Sequence, residues 1–156
     1  MAKTKFVAKV LLLDGNGDFL LLTRSDTHPS LAGFYDLPGG MIEDGEEPGA
    51  AVIREVKEET GIELPHHAVK VIYTTTHVMH DKSYPTLLYL ARIEMKSPDI
   101  QISWEHKSHE WAPLHRMADV EPQLASTYQE AFAYVRAHNI IEDIDIVVGE
   151  IQEAAA

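Results

Sequence analysis

Hydrophobic residues occur in short runs near the start of the chain, and these runs predict a β-hairpin. Residues 5–13 and 19–23 are rich in Val, Leu and Phe, and residues 14–18 between them are Asp-Gly-Asn-Gly-Asp. Glycine and Asn/Asp between two apolar runs are typical of a hairpin turn. The turn also begins like a calcium-binding loop, but Phe19 and Ser25 stand where that loop requires glycine and an acid, which favours the hairpin.

The pattern becomes helical in the middle of the chain. Pro48 suits the first turn of a helix and Gly61 its C-terminal stop, so a helix is predicted over residues 48–60. Its apolar side is small or β-branched: Ala51, Val52, Val56 and Ile53. Ahead of this helix, the sequence Leu-Pro-Gly-Gly at 37–40 is predicted to end a short strand.

More strands are predicted after the helix. Residues 70–77 and 86–93 are β-rich and flank a polar turn at 80–83, which indicates a second hairpin. Weaker strand patterns occupy residues 100–104 and 110–112.

Helical spacing of apolar residues returns over 118–138, with Asp119 or Glu121 near the start of that helix. Residues 140–156 are acidic and isoleucine-rich before an alanine tail, and their pattern is ambiguous. Because no linker or internal repeat interrupts the chain, residues 1–156 are predicted to form one α+β domain, with 140–156 as a C-terminal tail of undetermined structure.

Composition narrows the classes of function. The 156 residues include 25 acidic and 13 basic ones, a formal net charge of −12 that argues against broad binding to nucleic acid or an anionic membrane. The absence of cysteine excludes disulfides, zinc-thiolate sites and thiol nucleophiles. The longest early apolar run, residues 10–13, is too short for a secretory core or a membrane span. These features predict a soluble, cytoplasmic protein.

Acidic residues are concentrated around the predicted helix. Glu55, Glu58 and Glu59 lie at i, i+3 and i+4, so they project from one helix face. Like charges at this spacing destabilise an isolated helix by about 0.2–0.5 kcal/mol per pair, which makes the arrangement unfavourable on stability alone. Grouped carboxylates are what Mg²⁺ requires, although a solvated acidic helix is the simpler alternative.

The segment from Gly40 to Ile62 resembles the complete signature of the Nudix hydrolases. The matching residues are Gly40, Glu46 and the run Arg54-Glu55-Val56-Lys57-Glu58-Glu59-Thr60-Gly61-Ile62. The resemblance implies an α/β/α sandwich around a mixed β-sheet. It also implies hydrolysis, with Mg²⁺ or Mn²⁺, of the pyrophosphate bond in a nucleoside diphosphate linked to another moiety, X.

The resemblance also implies roles for individual residues. Glu55 and Glu59 would be the leading metal ligands, and Glu58 an additional ligand or the group that activates water. The remaining roles fall to residues that support the site: the Gly40 carbonyl as a further ligand, Glu46 and Arg54 as an ion pair, and Gly61 as the helix stop.

Members of this family often supply another acid, as base or ligand, from a later loop. Glu105 is the candidate here and Glu110 the reserve, because both lie in residues 104–111, where weakening strand character predicts a loop. Surface acids without a catalytic role are the alternative.

Three residues are candidates for contacting the substrate. Arg24 ends a predicted strand, where it would contact phosphate, although a solvent-facing strand end is equally consistent with its position. Phe34 and Tyr35 would stack on a base, with core packing as the alternative.

The identity of X is the least determined property. Pro29 and Leu37 depart from the motif of the coenzyme-A branch of the family, and His77 stands near the proline typical of ADP-ribose hydrolases. Nucleoside triphosphates, oxidised or not, remain by elimination. ADP-ribose, nucleotide sugars, dinucleoside polyphosphates and coenzyme A are alternatives, and a non-catalytic nucleotide sensor with the same fold is an alternative of another class. Residues 140–148 would either pack on their own sheet or pair with a partner in a homodimer.

Overall fold

The computed structural model describes residues 4–141, 150 and 151. The strands are β1 (Val7–Leu13), β2 (Phe19–Arg24), β3 (Tyr35–Asp36), β4 (Gly39–Met41), β5 (Ile62–Glu63), β6 (Lys70–Met79), β7 (Lys82–Arg92), β8 (His106–Ala112) and β9 (Glu150–Ile151). The helices are α1 (Pro48–Thr60), α2 (Met117–Val120) and α3 (Ser126–Ala137), with 3₁₀ turns at His66–Ala68, Leu114–Arg116 and Glu121–Gln123.

A mixed, seven-stranded sheet forms the framework. Its central strand β1 runs parallel to β7 from the pair Val7–Thr86 to the pair Leu13–Arg92, and β7 pairs antiparallel with β6. On the other side, β2 pairs antiparallel with β3 and β8. β5 and β9 form a separate two-stranded sheet.

Strands β1 and β2 diverge as they leave their hairpin. They pair at Leu13 and Phe19, next to the turn, and the space between their other ends is filled by β3, which pairs with β2, and β4, which pairs with β1. The Val10 N–H donates to the Pro38 carbonyl at 2.9 Å, so the connection between β3 and β4 is bonded to β1. This divergence places residues 36–41 at the open end of the hairpin.

The two faces of the sheet carry separate cores. Successive β1 side chains alternate between them, with Val10 packing in the cluster that includes α1 and Leu11 in the cluster that includes α3. Val52 and Val56 attach α1 to the sheet and are fully buried. Burial of each such side chain contributes roughly 1.5–3 kcal/mol, which exceeds the repulsion among the acidic residues of the same helix. The predicted α+β class and α/β/α sandwich are confirmed.

Several predicted elements are confirmed, and their boundaries follow the local signals. Helix α1 spans residues 48–60, as Pro48 and Gly61 predict, and Ile53 is partly buried beside its core side. Both hairpins are present, and the second turns at His80 and Asp81, both of which have positive φ.

Other predicted elements are wrong. Gly39 and Gly40 begin β4 rather than ending the preceding strand, because β4 pairs with β1. Residues 100–104 are not a strand, and 106–112 form β8 where a loop was predicted over most of 104–111. The helix predicted over 118–138 is broken around Pro122, and Leu124 is extended (φ −93°, ψ 155°). Proline lacks the N–H that a continuous helix needs, which accounts for the break.

The predicted tail, residues 140–156, lies largely outside the described residues. Within this segment, Glu150 and Ile151 form β9, which pairs with β5. Within the described part of the chain, no helix has the length and hydrophobicity needed to cross a membrane.

Candidate active site

Helix α1 presents its acidic face to strand β4. Its C-terminal end is fixed by Gly61, which has φ 78° and donates its N–H to the Lys57 carbonyl at 2.9 Å. Positive φ favours glycine, so the helix stops here at little conformational cost. Since Val52 and Val56 pack against the sheet, Glu55 and Glu59 are held close to the Gly39–Met41 strand.

Glu59 is a buried carboxylate at the start of β4. Its side chain accepts a hydrogen bond from the Gly39 N–H at 3.0 Å, and the residue is 3% exposed. Burial raises the pKa of Glu59 to about 8, although the charge of Lys9 and the hydrogen bond from Gly39 act in the opposite direction. An additional positive charge next to Glu59 would therefore stabilise its ionised form.

Glu55 lies against the backbone of Gly40. A Cβ atom at position 40 would stand 2.7 Å from the Glu55 carboxyl carbon, closer than side chains pack, so a side chain there would displace the Glu55 carboxylate. Burial raises the pKa of the Glu55 carboxyl, and the neighbouring Arg54 opposes this rise. The carboxylates of Glu55 and Glu59 thus both reach the Gly39–Gly40 segment.

Arg54 connects the acids of the helix with the preceding loop. Its Nε and Nη2 donate to the two carboxylate oxygens of Glu46 at 2.8 and 2.9 Å, so the predicted ion pair is present in bidentate form. The hydrogen bond from Arg54 lowers the pKa of Glu46 to about 2. Nη1 also donates to Glu55 at 3.1 Å and to Glu58 at 3.3 Å, so Arg54 holds two neighbouring acids of the helix as well.

The donor set at this site fits a divalent cation. Carboxylates and a backbone carbonyl are the ligands that Mg²⁺ and Mn²⁺ bind, and Glu55, Glu59 and Gly40 supply them. The Glu58 side chain is 59% exposed and adds a solvent-facing carboxylate. Within residues 4–141, 150 and 151, no group of three or more Asp, Glu or His side chains is already arranged to hold a metal ion. Arg54 instead holds Glu55 and Glu58, and a cation would share these carboxylates with it.

The two candidate acids downstream have different environments. Glu105 lies in the turn before β8, and its carbonyl accepts the Ser25 N–H at 2.9 Å, which connects this turn to the end of β2. Glu110 lies within β8 rather than on the predicted loop, and its carboxylate accepts a hydrogen bond from Arg116 at 2.7 Å. Of the two, Glu105 is the one on a turn.

The candidate substrate contacts also differ from one another. Arg24 is 9% exposed and donates from Nη1 to the carbonyl and hydroxyl oxygens of Ser30, so the solvent-facing alternative is wrong and the guanidinium already has partners within the chain. Tyr35 packs against the core cluster on the α3 face, as its alternative proposed. Phe34 is 39% exposed and stays a prediction for base stacking.

A buried charge cluster that the sequence did not predict lies next to these residues. We call it the Asp36 cluster, and its members are Asp36, Lys9, Arg24 and His106. Lys9 Nζ donates to Asp36 Oδ1 at 3.1 Å and lies 5.9 Å from the centre of the Tyr128 ring. His106 Nε2 lies 3.0 Å from Asp36 Oδ2, and Arg24 Nε lies 3.4 Å from the same oxygen. One signal was available, because Lys9 is a charged residue inside an otherwise apolar strand.

Charge pairing keeps Lys9 and Asp36 ionised despite burial. Burial alone would lower the pKa of Lys9, but the Asp36 carboxylate raises it above its usual range. Burial likewise opposes ionisation of Asp36, yet Lys9, His106 and Arg24 hold the pKa of Asp36 below its usual range. Since an ionised carboxylate can only accept, His106 Nε2 is the donor in its bond to Asp36.

Comparison with known proteins establishes the family. The model of the NUDIX domain matches residues 3–135. The chain belongs to the Nudix hydrolase family. This Nudix hydrolase is 31% identical over 147 residues to the RNA pyrophosphohydrolase of Roseobacter denitrificans, covering 83% of this chain and 89% of that protein.

Other Nudix proteins resemble it over different lengths. Nudix hydrolase 8 of Arabidopsis thaliana is 31% identical over 104 residues, 66% of this chain, but the chain spans only 28% of that relative's length. Among solved structures, the MutT protein from Methanosarcina mazei superposes with a TM-score of 0.78 at 26% identity, covering 89% of this chain and 97% of that one. Nudix hydrolases act on nucleotide pyrophosphates and use a divalent metal, which agrees with the acidic site on α1.

Proposed function

We propose that this enzyme hydrolyses the pyrophosphate bond of a nucleoside triphosphate, oxidised or not, with Mg²⁺ as its cofactor and Mn²⁺ as a substitute. The observation that carries the proposal is the approach of two half-buried or buried carboxylates, Glu55 and Glu59, to the Gly39–Gly40 backbone. Such carboxylates are unfavourable without a cation, because burial raises the pKa of both.

The proposed roles of the helix residues follow from these contacts. Glu55 and Glu59, with the Gly40 carbonyl, would hold the cation, which when bound neutralises phosphate charge and acidifies the attacking water. Glu58 is the exposed carboxylate and would accept the proton that this water loses, with Glu105 as the alternative base. Water forms a bond to phosphorus as the bridging P–O bond breaks, and the other product, pyrophosphate or the nucleoside monophosphate, leaves as an anion.

Arg54 and Glu46 would support the site without touching the substrate. The Glu43 N–H donates to Glu46 Oε1 at 3.1 Å, and the same carboxylate binds Arg54, so the loop before α1 is attached to the helix. Arg54 also compensates part of the negative charge of Glu55 and Glu58. We expect this compensation to keep the carboxylates oriented before a cation binds.

A second candidate substrate is the phosphorylated 5′ end of an RNA. The relative named RNA pyrophosphohydrolase covers most of this chain and favours it. The net charge of −12 is unfavourable for extended contact with a polyanion, which favours the free nucleotide instead.

The test is a hydrolysis assay at mildly alkaline pH with Mg²⁺, with products resolved by mass. Its substrates are nucleoside triphosphates, 8-oxo-dGTP, a 5′-triphosphorylated oligoribonucleotide, ADP-ribose, dinucleoside polyphosphates, nucleotide sugars and coenzyme A. The Glu59→Gln variant should lose activity, whereas Glu130→Gln, a matched change of an exposed helical acid on α3, should keep it.

Each outcome of this assay separates the candidates. Release of a nucleoside monophosphate from a nucleoside triphosphate or 8-oxo-dGTP supports the proposal, and cleavage of the RNA alone supports the second candidate. Full Mg²⁺-dependent activity in Glu59→Gln would contradict the assigned site. No cleavage of any substrate, together with a ligand that raises the melting temperature, would favour the non-catalytic sensor.

A further inference from the structure

The carboxylate of Asp36 receives donors from several segments of the chain. Asp36 is 2% exposed, and its oxygens bind Lys9 of β1, His106 of β8 and the Leu37 N–H, the last at 2.9 Å. Arg24, at the end of β2, contributes a further positive charge at 3.4 Å. One buried carboxylate therefore joins β1, β2, β3 and β8 at the open end of the hairpin.

The cluster fixes the segment that contacts the acidic helix. Lys9 Nζ donates to the Leu37 carbonyl at 3.0 Å while Asp36 accepts the Leu37 N–H, so both polar groups of this residue are bound by the pair. Gly39, two residues later, pairs with Lys9 across the strands and gives its N–H to Glu59. The position of Glu59 thus depends on a backbone segment that Lys9 and Asp36 hold.

The same carboxylate also reaches the turn that carries Glu105. His106 directly follows Glu105 and is bonded to Asp36 Oδ2. The Ser25 N–H, next to Arg24 of the cluster, holds the Glu105 carbonyl. The backbone segment that contacts Glu59 and the turn that carries Glu105 are therefore both connected to Asp36.

Stability alone is a poor explanation for this arrangement. Removing two charges from water costs several kcal/mol per ion, and buried ion pairs are often replaced by apolar residues without loss of stability. A buried pair does, however, define one geometry, because its charges tolerate few alternative positions. The neighbouring site needs such definition, since metal ligands depend on the groups that orient them.

We propose that Asp36 and Lys9 are positioning residues for the cation site of this enzyme. Their pair holds residues 37–40 so that the Gly39 N–H meets Glu59 and Gly40 meets Glu55. This inference rests on the proposed function, because it assumes that Glu55 and Glu59 bind a divalent cation. Neither Asp36 nor Lys9 is assigned a contact with substrate or metal.

The chain offers a matched control in Asp14. This carboxylate is also buried, 1% exposed, and accepts the Asn16 and Asp18 N–H groups, each at 2.9 Å, and the Ser97 N–H at 2.6 Å. It follows the other end of β1, five residues from Lys9, which corresponds to about 17 Å along a strand. Asp14→Asn therefore removes an equally buried charge far from the site.

The experiment measures Mn²⁺ binding by calorimetry in the absence of substrate, well below the melting temperature. Asp36→Asn should weaken Mn²⁺ binding about tenfold or more and reduce kcat, whereas Asp14→Asn should lower the melting temperature and leave Mn²⁺ affinity unchanged. Equal Mn²⁺ affinities in the two variants would overturn the inference. The double variant Lys9→Met/Asp36→Asn removes both charges and repeats the test without an unpaired buried lysine.

A measurement on the wild-type protein does not depend on any variant folding. Binding is reciprocal, so if the Asp36 cluster supports the cation site, Mn²⁺ must stabilise the cluster. Mn²⁺ should slow hydrogen exchange of the Leu37 and Gly39 amides and leave the Asn16 and Asp18 amides unaffected. Unchanged exchange at Leu37, under saturating Mn²⁺, would also overturn the inference.

The Glu59→Gln variant separates this inference from the proposed function. If Glu59→Gln keeps both Mn²⁺ binding and activity, the proposed site is wrong. If Glu59→Gln loses both while the Asp36 variants bind Mn²⁺ like Asp14→Asn, the site stands and only the positioning role is wrong.

Discussion

The two ends of strand β1 each contain a buried aspartate, but they are built differently. At the hairpin end, β1 and β2 remain paired, and Asp14 is satisfied by backbone N–H groups of its own turn and by Ser97. At the open end, β1 and β2 diverge, and Asp36 is satisfied largely by the side chains of Lys9 and His106. The first arrangement closes a turn, whereas the second holds open the end of the sheet that faces the acidic helix.

The charges at the two ends differ in the same way. Asp14 accepts from neutral donors: the backbone N–H groups of Asn16, Asp18 and Ser97 and, at 3.4 Å, the Asn16 amide and the Ser97 hydroxyl. The open end gathers the buried charged residues Lys9, Asp36 and Glu59. This difference indicates that the open end gives up stability for a defined arrangement of charges, as functional sites often do.

Among changes at the two ends of β1, removing the carboxylate of Glu59 should have the largest effect on activity. Glu59→Gln should lower kcat at least about a hundredfold, because a proposed metal ligand is lost.

In the metal-free protein, the Glu59→Gln change should raise the melting temperature near pH 7. The pKa of Glu59 is raised by burial to about 8, so the carboxyl resists the ionisation that the unfolded chain allows at that pH, and a neutral side chain avoids this cost. Hydrolysis assays check the fall in kcat, and thermal unfolding of the metal-free variant checks the rise in melting temperature. A lower melting temperature than that of the wild type would contradict the stability prediction.

A side chain at position 40 should disrupt the cation site at the open end of the hairpin and leave helix α1 folded. A Cβ at position 40 would lie 2.7 Å from the Glu55 carboxyl carbon, so Gly40→Ala should displace Glu55 and weaken Mn²⁺ binding roughly tenfold. Gly49→Ala is the matched control, because its nearest neighbour would be 3.8 Å away. The control should bind Mn²⁺ like the wild type and gain about 0.5–1 kcal/mol in the free energy of unfolding, since alanine favours helix. Equal Mn²⁺ affinities in the two variants would show that Gly40 is not needed for close approach.

Changing the hairpin end should affect stability alone. Asp14→Asn removes acceptor capacity from three backbone donors, and we expect the free energy of unfolding to fall by about 1–3 kcal/mol. Denaturant titration measures this loss, and the activity per folded molecule should be unchanged. A large fall in kcat would show that the two ends are coupled and that the comparison is wrong.

The smallest effect should come from Glu46, and it should depend on pH. The pKa of Glu46 is lowered in the folded state from its ordinary value of about 4.5 to about 2, chiefly by the hydrogen bond from Arg54. A lowered acid pKa contributes stability that is present above about pH 4.5 and is lost as the pH falls toward 2. Glu46→Gln should therefore reduce stability at neutral pH slightly and flatten the pH dependence between these values. Thermal unfolding from pH 2 to 6 tests this, and parallel curves for the two proteins would refute the contribution of Glu46.

Local signals allowed much of the fold to be predicted. The Asp-Gly-Asn-Gly-Asp turn predicts the first hairpin because its bonds join residues two to four positions apart, as at Asp14. Helix α1 begins and ends as Pro48 and Gly61 indicate, and the spacing of Glu55, Glu58 and Glu59 predicts their shared face. The sequence predicts a short strand that ends at residues 37–40 but not its division into β3 and β4, since their pairing with β2 and β1 depends on tertiary structure.

The Asp36 cluster shows why the rest could not be predicted. Asp36 is 27 residues from Lys9 and 70 residues from His106, and no periodic pattern connects positions so far apart. The place of Arg24 at a strand end predicts either a phosphate contact or a solvent-facing side chain, yet its side chain is buried and binds Ser30 within the chain. Burial of these charges depends on the divergence of β1 and β2, a property of the whole sheet.

The most direct test of the proposed site is hydrolysis of a nucleoside triphosphate in ¹⁸O-labelled water with Mg²⁺. Wild-type enzyme should yield a nucleoside monophosphate and pyrophosphate with ¹⁸O in one product, and Glu59→Gln should yield neither. Equal cleavage by the two proteins, or cleavage that leaves no ¹⁸O on phosphorus, would contradict a hydrolytic site at the open end of β1.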